Sequence, residues 1–203
     1  MAGRVAVKIC GITRPEDAAT ALRLGADFLG LVFAASPRQV NLKQARVISD
    51  QCRRQVPVVG VFRDQSLDLV QYIARSLSLK WIQLHGQENL DYVLALAAEF
   101  KVIRAFDRYD AETLKEIVNC PLQHILLDRP KDGGTGWDLS AASAIAAHKK
   151  IFLAGSLTKD TVAEAVQKVQ PFAVDVARGV EISPGIKDPK LMERFIRRAK
   201  GIK

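Results

Sequence analysis

A closed α/β barrel, with eight parallel strands surrounded by helices in the (β/α)8 or TIM arrangement, is the fold this sequence predicts, and three observations carry it. Short apolar runs alternate with amphipathic helical stretches from one end of the 203-residue chain to the other. The runs begin near positions 5, 28, 58, 81, 102, 124, 151 and 173, a spacing of 21 to 30 residues. Each is separated from the next by enough chain for a crossover helix, which makes neighbouring strands parallel, and eight such units suffice to close a barrel. An open doubly wound sheet is the alternative. It would carry a glycine-rich dinucleotide turn after its first strand, and Cys10-Gly11-Ile12 is not one. A single barrel domain over residues 1–203 is therefore expected.

The first strand is Val5-Ala6-Val7-Lys8-Ile9, ending on Cys10 and breaking at Gly11. Alternation puts Val7 and Ile9 on one face and Lys8 and Cys10 on the other. Thr13-Arg14-Pro15-Glu16-Asp17 then starts a helix, with Thr13 or Arg14 near the N-cap, Pro15 in the first turn and two acids behind it; Gly25 stops it. Residues 28–33 form the second strand and 34–40 a polar loop, after which Asn41 caps a helix over 42–52. Strands at 58–62, 81–85 and 102–106 follow, interleaved with helices at 66–76, 89–100 and 111–118. The strand 124–128 runs into the longest loop, 129–139. A helix at 140–148, a strand at 151–153, a helix at 159–168, a strand at 173–176 and a terminal helix at 189–199 complete the pattern.

Composition limits the function classes. With 48% hydrophobic and 26% charged residues, the chain has the make-up of an ordinary globular protein with one large core. Of the net charge of +8, residues 187–203 supply +5, from seven Lys or Arg against two acids. Leu191, Met192, Phe195 and Ile196 recur there at helical spacing, so these charges read as the solvated face of an amphipathic helix and not as a nucleic-acid surface. A positive field would also draw in an anionic small substrate. Cys10, Cys52 and Cys120 are odd in number, far apart and without a C-x-x-C pair, which suits a reducing compartment. Lys8 interrupts the first apolar run, and nothing approaches the roughly 18 residues of a membrane span. A cytoplasmic protein with neither membrane nor nucleic-acid partner is expected.

In a barrel the C-terminal strand ends and the loops after them form the active face. Those positions hold Cys10, Ser36, Arg38, Gln83, His85, Asp128, Gly155, Ser156, Asp175 and Gly179, whereas the opposite ends hold mostly Val, Ile, Leu and Ala. Gly155-Ser156 precedes a helix and Arg178-Gly179 follows the eighth strand. Small residues let backbone N–H groups approach an anion, and a helix N-terminus favours it, so these loops read as a phosphate site or as tight turns. Arg178 either adds a charge-assisted bond or points to solvent. Asp128 ends a strongly apolar strand, where partial desolvation would raise its pKa and suit a general acid; the plain alternative is a capping or salt-bridged aspartate. Cys10 would be the complementary base if a cation lies close. Lys8 either supplies that cation or is spent on Asp175 of the adjoining strand, the default for a lysine inside a barrel. Arg38 could grip a carboxylate bidentately. His85 reads as a hydrogen-bonding wall residue, for no second His or Cys stands at ligand spacing.

Taken together, Val7-Lys8-Ile9-Cys10-Gly11-Ile12, Gln83-Leu84-His85-Gly86, Leu126-Leu127-Asp128, Gly133-Gly134-Thr135-Gly136, Ala173-Val174-Asp175-Val176, Gly179-Val180-Glu181 and Pro184-Gly185-Ile186-Lys187-Asp188 resemble the phosphoribosylanthranilate isomerase family of tryptophan biosynthesis, in order and over almost the whole chain. The resemblance implies an Amadori rearrangement of the small-molecule substrate N-(5'-phosphoribosyl)anthranilate to the carboxyphenylamino-deoxyribulose phosphate, without cofactor or metal. It implies that Asp128 protonates the ribose ring oxygen and that Cys10 removes the C2 proton. It further places the anthranilate carboxylate on Arg38, with Gln83, His85 and Asp175 along the pocket, and the phosphate on Gly155, Ser156 and Gly179, with Arg178 beside them. Three features depart from the family pattern: Ser156 replaces a glycine, Arg178 replaces a serine, and the segment after Gly136 is shortened to Trp137-Asp138. Two alternatives stand beside this reading. One is the related sugar-phosphate isomerase of histidine synthesis, which would be expected to carry an aspartate at the Cys10 position. The other is a basic binding barrel without catalysis.

Overall fold

The structure, a computed structural model, describes residues 4–108, 110–129 and 138–202. Within them a closed barrel runs in chain order through β1 (Ala6–Ile9), β2 (Phe28–Val32), β3 (Val58–Phe62), β4 (Trp81–Leu84), β5 (Lys101–Phe106), β6 (His124–Leu127), β7 (Lys150–Leu153) and β8 (Ala173–Val176), every pairing parallel. Helices α1 (Pro15–Arg23), α2 (Leu42–Cys52), α3 (Leu67–Ser76), α4 (Leu90–Ala97), α5 (Ala111–Asn119), α6 (Leu139–Ala146), α7 (Val162–Val169) and α8 (Pro189–Ala199) follow the strands. The barrel closes where β1 pairs with β8, with Lys8 in register with Asp175.

The helix starts obey their local chemistry. Asn41 and Gln44 form a reciprocal capping box at α2, and Asp188 accepts the amides of Lys190 and Leu191 at α8. Two segments differ from the sequence expectation. Helix α7 begins at Val162 and not at 159, because residues 159–161 form a turn in which the Thr161 hydroxyl accepts the Thr158 amide at 3.1 Å. After β8 a 3-10 turn (Arg178–Val180) leads into an antiparallel hairpin of β9 (Glu181–Ser183) and β10 (Ile186–Lys187). Its Pro184-Gly185 corner is a type of turn signal the sequence did contain. The Gly133 to Gly136 motif, and most of the loop 129–139, lie outside the described residues.

Two-residue alternation sorts each strand between two cores. Outward side chains such as Val7, Ile9, Leu29, Leu31, Ile82, Leu84, Ile125 and Leu127 pack with the helices. Inward ones begin at the N-terminal end with Phe28, Val59, Trp81, Ile103, Leu126, Phe152 and Ala173. Phe28 meets Trp81 and Phe152 edge-on, with ring centroids 5.3 and 5.4 Å apart. One step up the same parity stand the buried Lys8, Gln83 and Asp175 together with the part-exposed Asp128, and one step further Cys10 and His85. No helix among the described residues is long and apolar enough to cross a membrane.

Candidate active site

The top of that inward column opens into a cleft of about 310 Å³. Cys10, Ser36, Arg38, Gln83, His85, Asp128, Gly155, Ser156, Asp175, Arg178 and Gly179 all line it, so the residues read from the sequence as the rim converge on one place, while Lys8 is not among the lining residues. Cys10 and Asp128, carried just beyond the ends of β1 and β6, share its walls.

Cys10 is held by its neighbours on both sides. Its amide donates to the Val176 carbonyl at 2.8 Å, fixing the end of β1 to β8. Across on β2, a Cβ added to Gly30 would sit 2.8 Å from the Cys10 Sγ and 3.1 Å from the Lys8 Nζ, so only glycine leaves room for both. The expected ion pair forms, with Lys8 Nζ donating to Asp175 Oδ1 at 2.9 Å from a wholly buried position. The same ammonium also acts on the thiol, lowering its pKa against burial, so the two roles weighed for Lys8 coexist. Burial opposes its charge, but Asp175 and Cys10 together hold its pKa above the ordinary value.

For the thiol the balance falls the other way. Burial pushes the Cys10 pKa up and Asp175 adds to it, while Lys8 and Lys187 pull it down without overcoming burial. The nearby cation that the sequence set as the condition for a thiolate base is present, but burial outweighs it, and the substrate-free site holds the neutral thiol. The thiol beside the cation is almost sealed from water, at 7% exposure.

On the far wall, Asp128 Oδ1 accepts the Arg129 amide at 2.8 Å and Oδ2 lies 3.5 Å from His85 Nε2. A quarter of the carboxyl side chain is exposed to the cleft. His85 Nδ1 stands 3.3 Å from the Gln83 amide nitrogen; with that amide donating, the ring proton sits on Nε2, facing Asp128. The Gln83 Oε1 is buried without a protein partner among the described residues. Among the same residues no three His, Cys, Asp or Glu side chains converge as metal ligands.

The loop after β7 turns tightly against the acid. Gly155 has φ +80°, and a Cβ there would collide with the Arg129 backbone and lie 2.6 Å from Asp128 Oδ1. Ser156 follows at φ +56°, also left-handed. Arg178 Nη2 lies 3.3 Å from the Ser156 hydroxyl, so two of the unusual residues noted in the sequence are partners of each other. Helix α7 starts at Val162, three residues later than the sequence placed it, so a turn separates its N-terminus from this loop.

Arg38 lines the cleft already engaged. Its Nε and Nη2 donate to both oxygens of Glu181, at 2.9, 3.2 and 2.6 Å. Glu181 also accepts Lys187 Nζ at 2.8 Å. Sequence reasoning gave neither Glu181 nor Lys187 a role, and it missed Gly30. Glu181 and Lys187 were visible only as members of a motif, since their charges meet Arg38 and Cys10 through a hairpin that had not been foreseen.

With this geometry in hand, comparison with known proteins is specific. A family model described as N-(5'-phosphoribosyl)anthranilate (PRA) isomerase matches residues 7–198. The chain is 41% identical over 204 residues to the N-(5'-phosphoribosyl)anthranilate isomerase of Trichlorobacter lovleyi, covering 97% of this chain and 98% of that one. With the enzyme of the same name from Geobacter sulfurreducens it shares 44% over 205 residues, covering 97% and 99%. A crystal structure of a phosphoribosyl anthranilate isomerase in complex with reduced 1-(o-carboxyphenylamino)-1-deoxyribulose 5-phosphate superposes with a TM-score of 0.89 at 35% identity, covering 97% of this chain and 99% of that one. The enzyme from Thermus thermophilus does so with a TM-score of 0.88 at 34% identity, covering 98% and 100%. These matches favour the tryptophan-pathway isomerase over the histidine-pathway and non-catalytic alternatives. A barrel whose reactive groups gather at one rim, matched along nearly its whole length by these enzymes, belongs to the N-(5'-phosphoribosyl)anthranilate isomerase family, the aldose–ketose isomerases of tryptophan biosynthesis.

Proposed function

We propose that Asp128 is the general acid and Cys10 the general base of the Amadori rearrangement of N-(5'-phosphoribosyl)anthranilate. The carrying observation is that the two groups line one cleft together with an arginine and two glycine-bearing loops. Asp128 delivers a proton to the ribose ring oxygen, the C1–O bond breaks, and the nitrogen lone pair forms a C1=N iminium. Cys10 then takes the C2 proton, and the C2–H electrons form the C1=C2 bond of an enolamine while the nitrogen recovers its pair. Proton gain at C1 and loss from the C2 hydroxyl give the ketone, so the sequence is redox-neutral overall.

The raised pKa of the thiol fits this order of events. An iminium cation beside Cys10 favours thiolate formation, as Lys8 already does, so the base becomes competent once the ring has opened. Arg38 binds the anthranilate carboxylate, and a ribose hydroxyl supplies the donor that Gln83 Oε1 lacks. His85 and Asp175 line the sugar. The phosphate sits on Gly155, Ser156 and Gly179, where Arg178 can add a charge-assisted bond. Cytoplasmic location accords with three free cysteines. The test follows the loss of substrate fluorescence with substrate generated in situ. Asp128→Asn and Cys10→Ala are each expected to lower kcat by at least about 10²-fold with the fold intact, Asp128→Asn the more severe. Near-full activity in Cys10→Ala would remove the base assignment.

A further inference from the structure

Glu181 and Lys187 are buried charged groups at the rim for which the acid–base scheme has no use. The Glu181 side chain is only 4% exposed, and the hairpin of β9 and β10 brings it against Arg38 on the loop after β2. The hydrogen bonds engage one edge of the guanidinium, Nε and Nη2. The rest of Arg38 is pinned as well. Its amide donates to Ser36 Oγ at 3.0 Å, and its stem lies so close over Gly11 that an added Cβ would be 2.6 Å from Cδ. Among the described residues no hydrogen bond takes up the Nη1–Nη2 edge, a planar fork suited to a second carboxylate.

The charges agree with that vacancy of function. Lys187 Nζ donates to Glu181 and to the carbonyls of Cys10 and Ala177, at 2.8, 2.6 and 3.2 Å. Arg38, Lys187 and Glu181 thus sum to one net positive charge in a low-dielectric setting, which one bound carboxylate would neutralise. Burial tends to raise the Glu181 pKa, yet the bonds from Arg38 and Lys187 hold it below the ordinary value, so it stays a carboxylate.

We propose that Glu181 is a positioning residue for substrate recognition: it grips Arg38 by one edge so that the other edge meets the aromatic carboxylate, while Lys187 keeps the trio one positive charge in excess. This rests on the reading of Arg38 as the carboxylate ligand. Two stable probes separate the claims: reduced 1-(o-carboxyphenylamino)-1-deoxyribulose 5-phosphate, and the same molecule without its carboxylate. Their dissociation constants are measured by titration calorimetry on wild type, Arg38→Ala, Glu181→Gln and the double variant. Wild type is expected to prefer the carboxylated probe. Arg38→Ala should abolish the preference, and Glu181→Gln should reduce it by about tenfold while leaving the other probe within about twofold, with the double variant no worse than Arg38→Ala. A merely structural role would weaken both probes alike, and that result overturns the proposal. If Arg38→Ala keeps the preference, the premise about Arg38 is wrong. If Arg38→Ala loses it and Glu181→Gln does not, the premise stands and the positioning role falls. Should Glu181→Gln fail to fold by circular dichroism, the same ratio is read on Glu181→Asp, which keeps the charge but withdraws it by one methylene and should lose part of the preference.

Discussion

At the bottom of the barrel Phe28, Trp81 and Phe152 fill the interior ring against ring; two residues further along the same strands stand Gly30, Gln83 and Ala154. Both layers arise from one alternation, yet they answer opposite demands. The lower layer is large, apolar and closed, and stability depends on its filling. The upper layer combines small residues with polar ones, keeping space and unmet hydrogen-bonding capacity where a substrate can use them. Level with Gln83, the Lys8–Asp175 pair closes the seam of β1 and β8 below the thiol, so the floor of the site is also part of the barrel's closure. The contrast yields a rule: substitutions above this pair should cost rate, and substitutions below it should cost stability.

The largest expected effects test the upper half of that rule. Asp128→Asn and Cys10→Ala should each lose at least about 10²-fold in kcat, while thermal melting moves by no more than the few degrees that about 1 kcal/mol produces. A large drop in melting temperature in either would show that the rim is structural as well as chemical. The lower half is tested by Phe152→Ala. Phe152 is wholly buried and touches Phe28, Trp81 and Phe172, so its truncation should cost about 3–5 kcal/mol in denaturant unfolding. The kcat of the fraction that remains folded should stay within about twofold. A loss of kcat comparable with that of Cys10→Ala would break the division between the layers.

Gly30→Ala probes the boundary. The new Cβ would press on the Cys10 Sγ and the Lys8 Nζ, so both quantities should move together: about 1–3 kcal/mol in stability and about tenfold in kcat. A change in stability alone would mean that the thiol has freedom to shift without loss of function.

The ease with which these regions could be read from sequence differs for a physical reason. Barrel and parity follow from short-range pattern, which is why Asn41, Pro15 and the terminal helix fall where capping and periodicity put them. Cys10, Asp128 and Gly155 could be placed on one rim because strand ends are forced together by closure. Gly30, Glu181 and Lys187 were not legible as site residues, because their importance comes from side chains on other elements: a thiol on the neighbouring strand 2.8 Å from an imagined Cβ, or an arginine 143 residues away in sequence. The state of the thiol stayed open in the sequence for a related reason. Proximity of a lysine can be inferred from a strand, but depth of burial depends on every neighbour at once.

The smallest effect concerns His124, at the inward bottom of β6, whose ring stacks edge-on against Trp81 at 4.8 Å. Burial, then the charges of Lys150 and Lys101, depress its pKa from 6.5 to about 4. The folded protein therefore binds a proton less readily than the unfolded chain, and unfolding takes up a proton between those two values. Stability should be constant above about pH 6.5, fall as pH drops from 6.5 towards 4, and lose no more to this residue below that. With the ring only partly buried and two lysine ammonium groups near it, about 1–2 kcal/mol is a reasonable size for the effect. His124→Gln should flatten that part of the stability profile in urea unfolding across pH 4 to 7, leaving the carboxylate-driven loss at lower pH. An unchanged slope in the variant would show that the pH sensitivity belongs to other groups and that the aromatic floor tolerates a charged imidazole, which would remove the strictest form of the contrast between the two ends of the barrel.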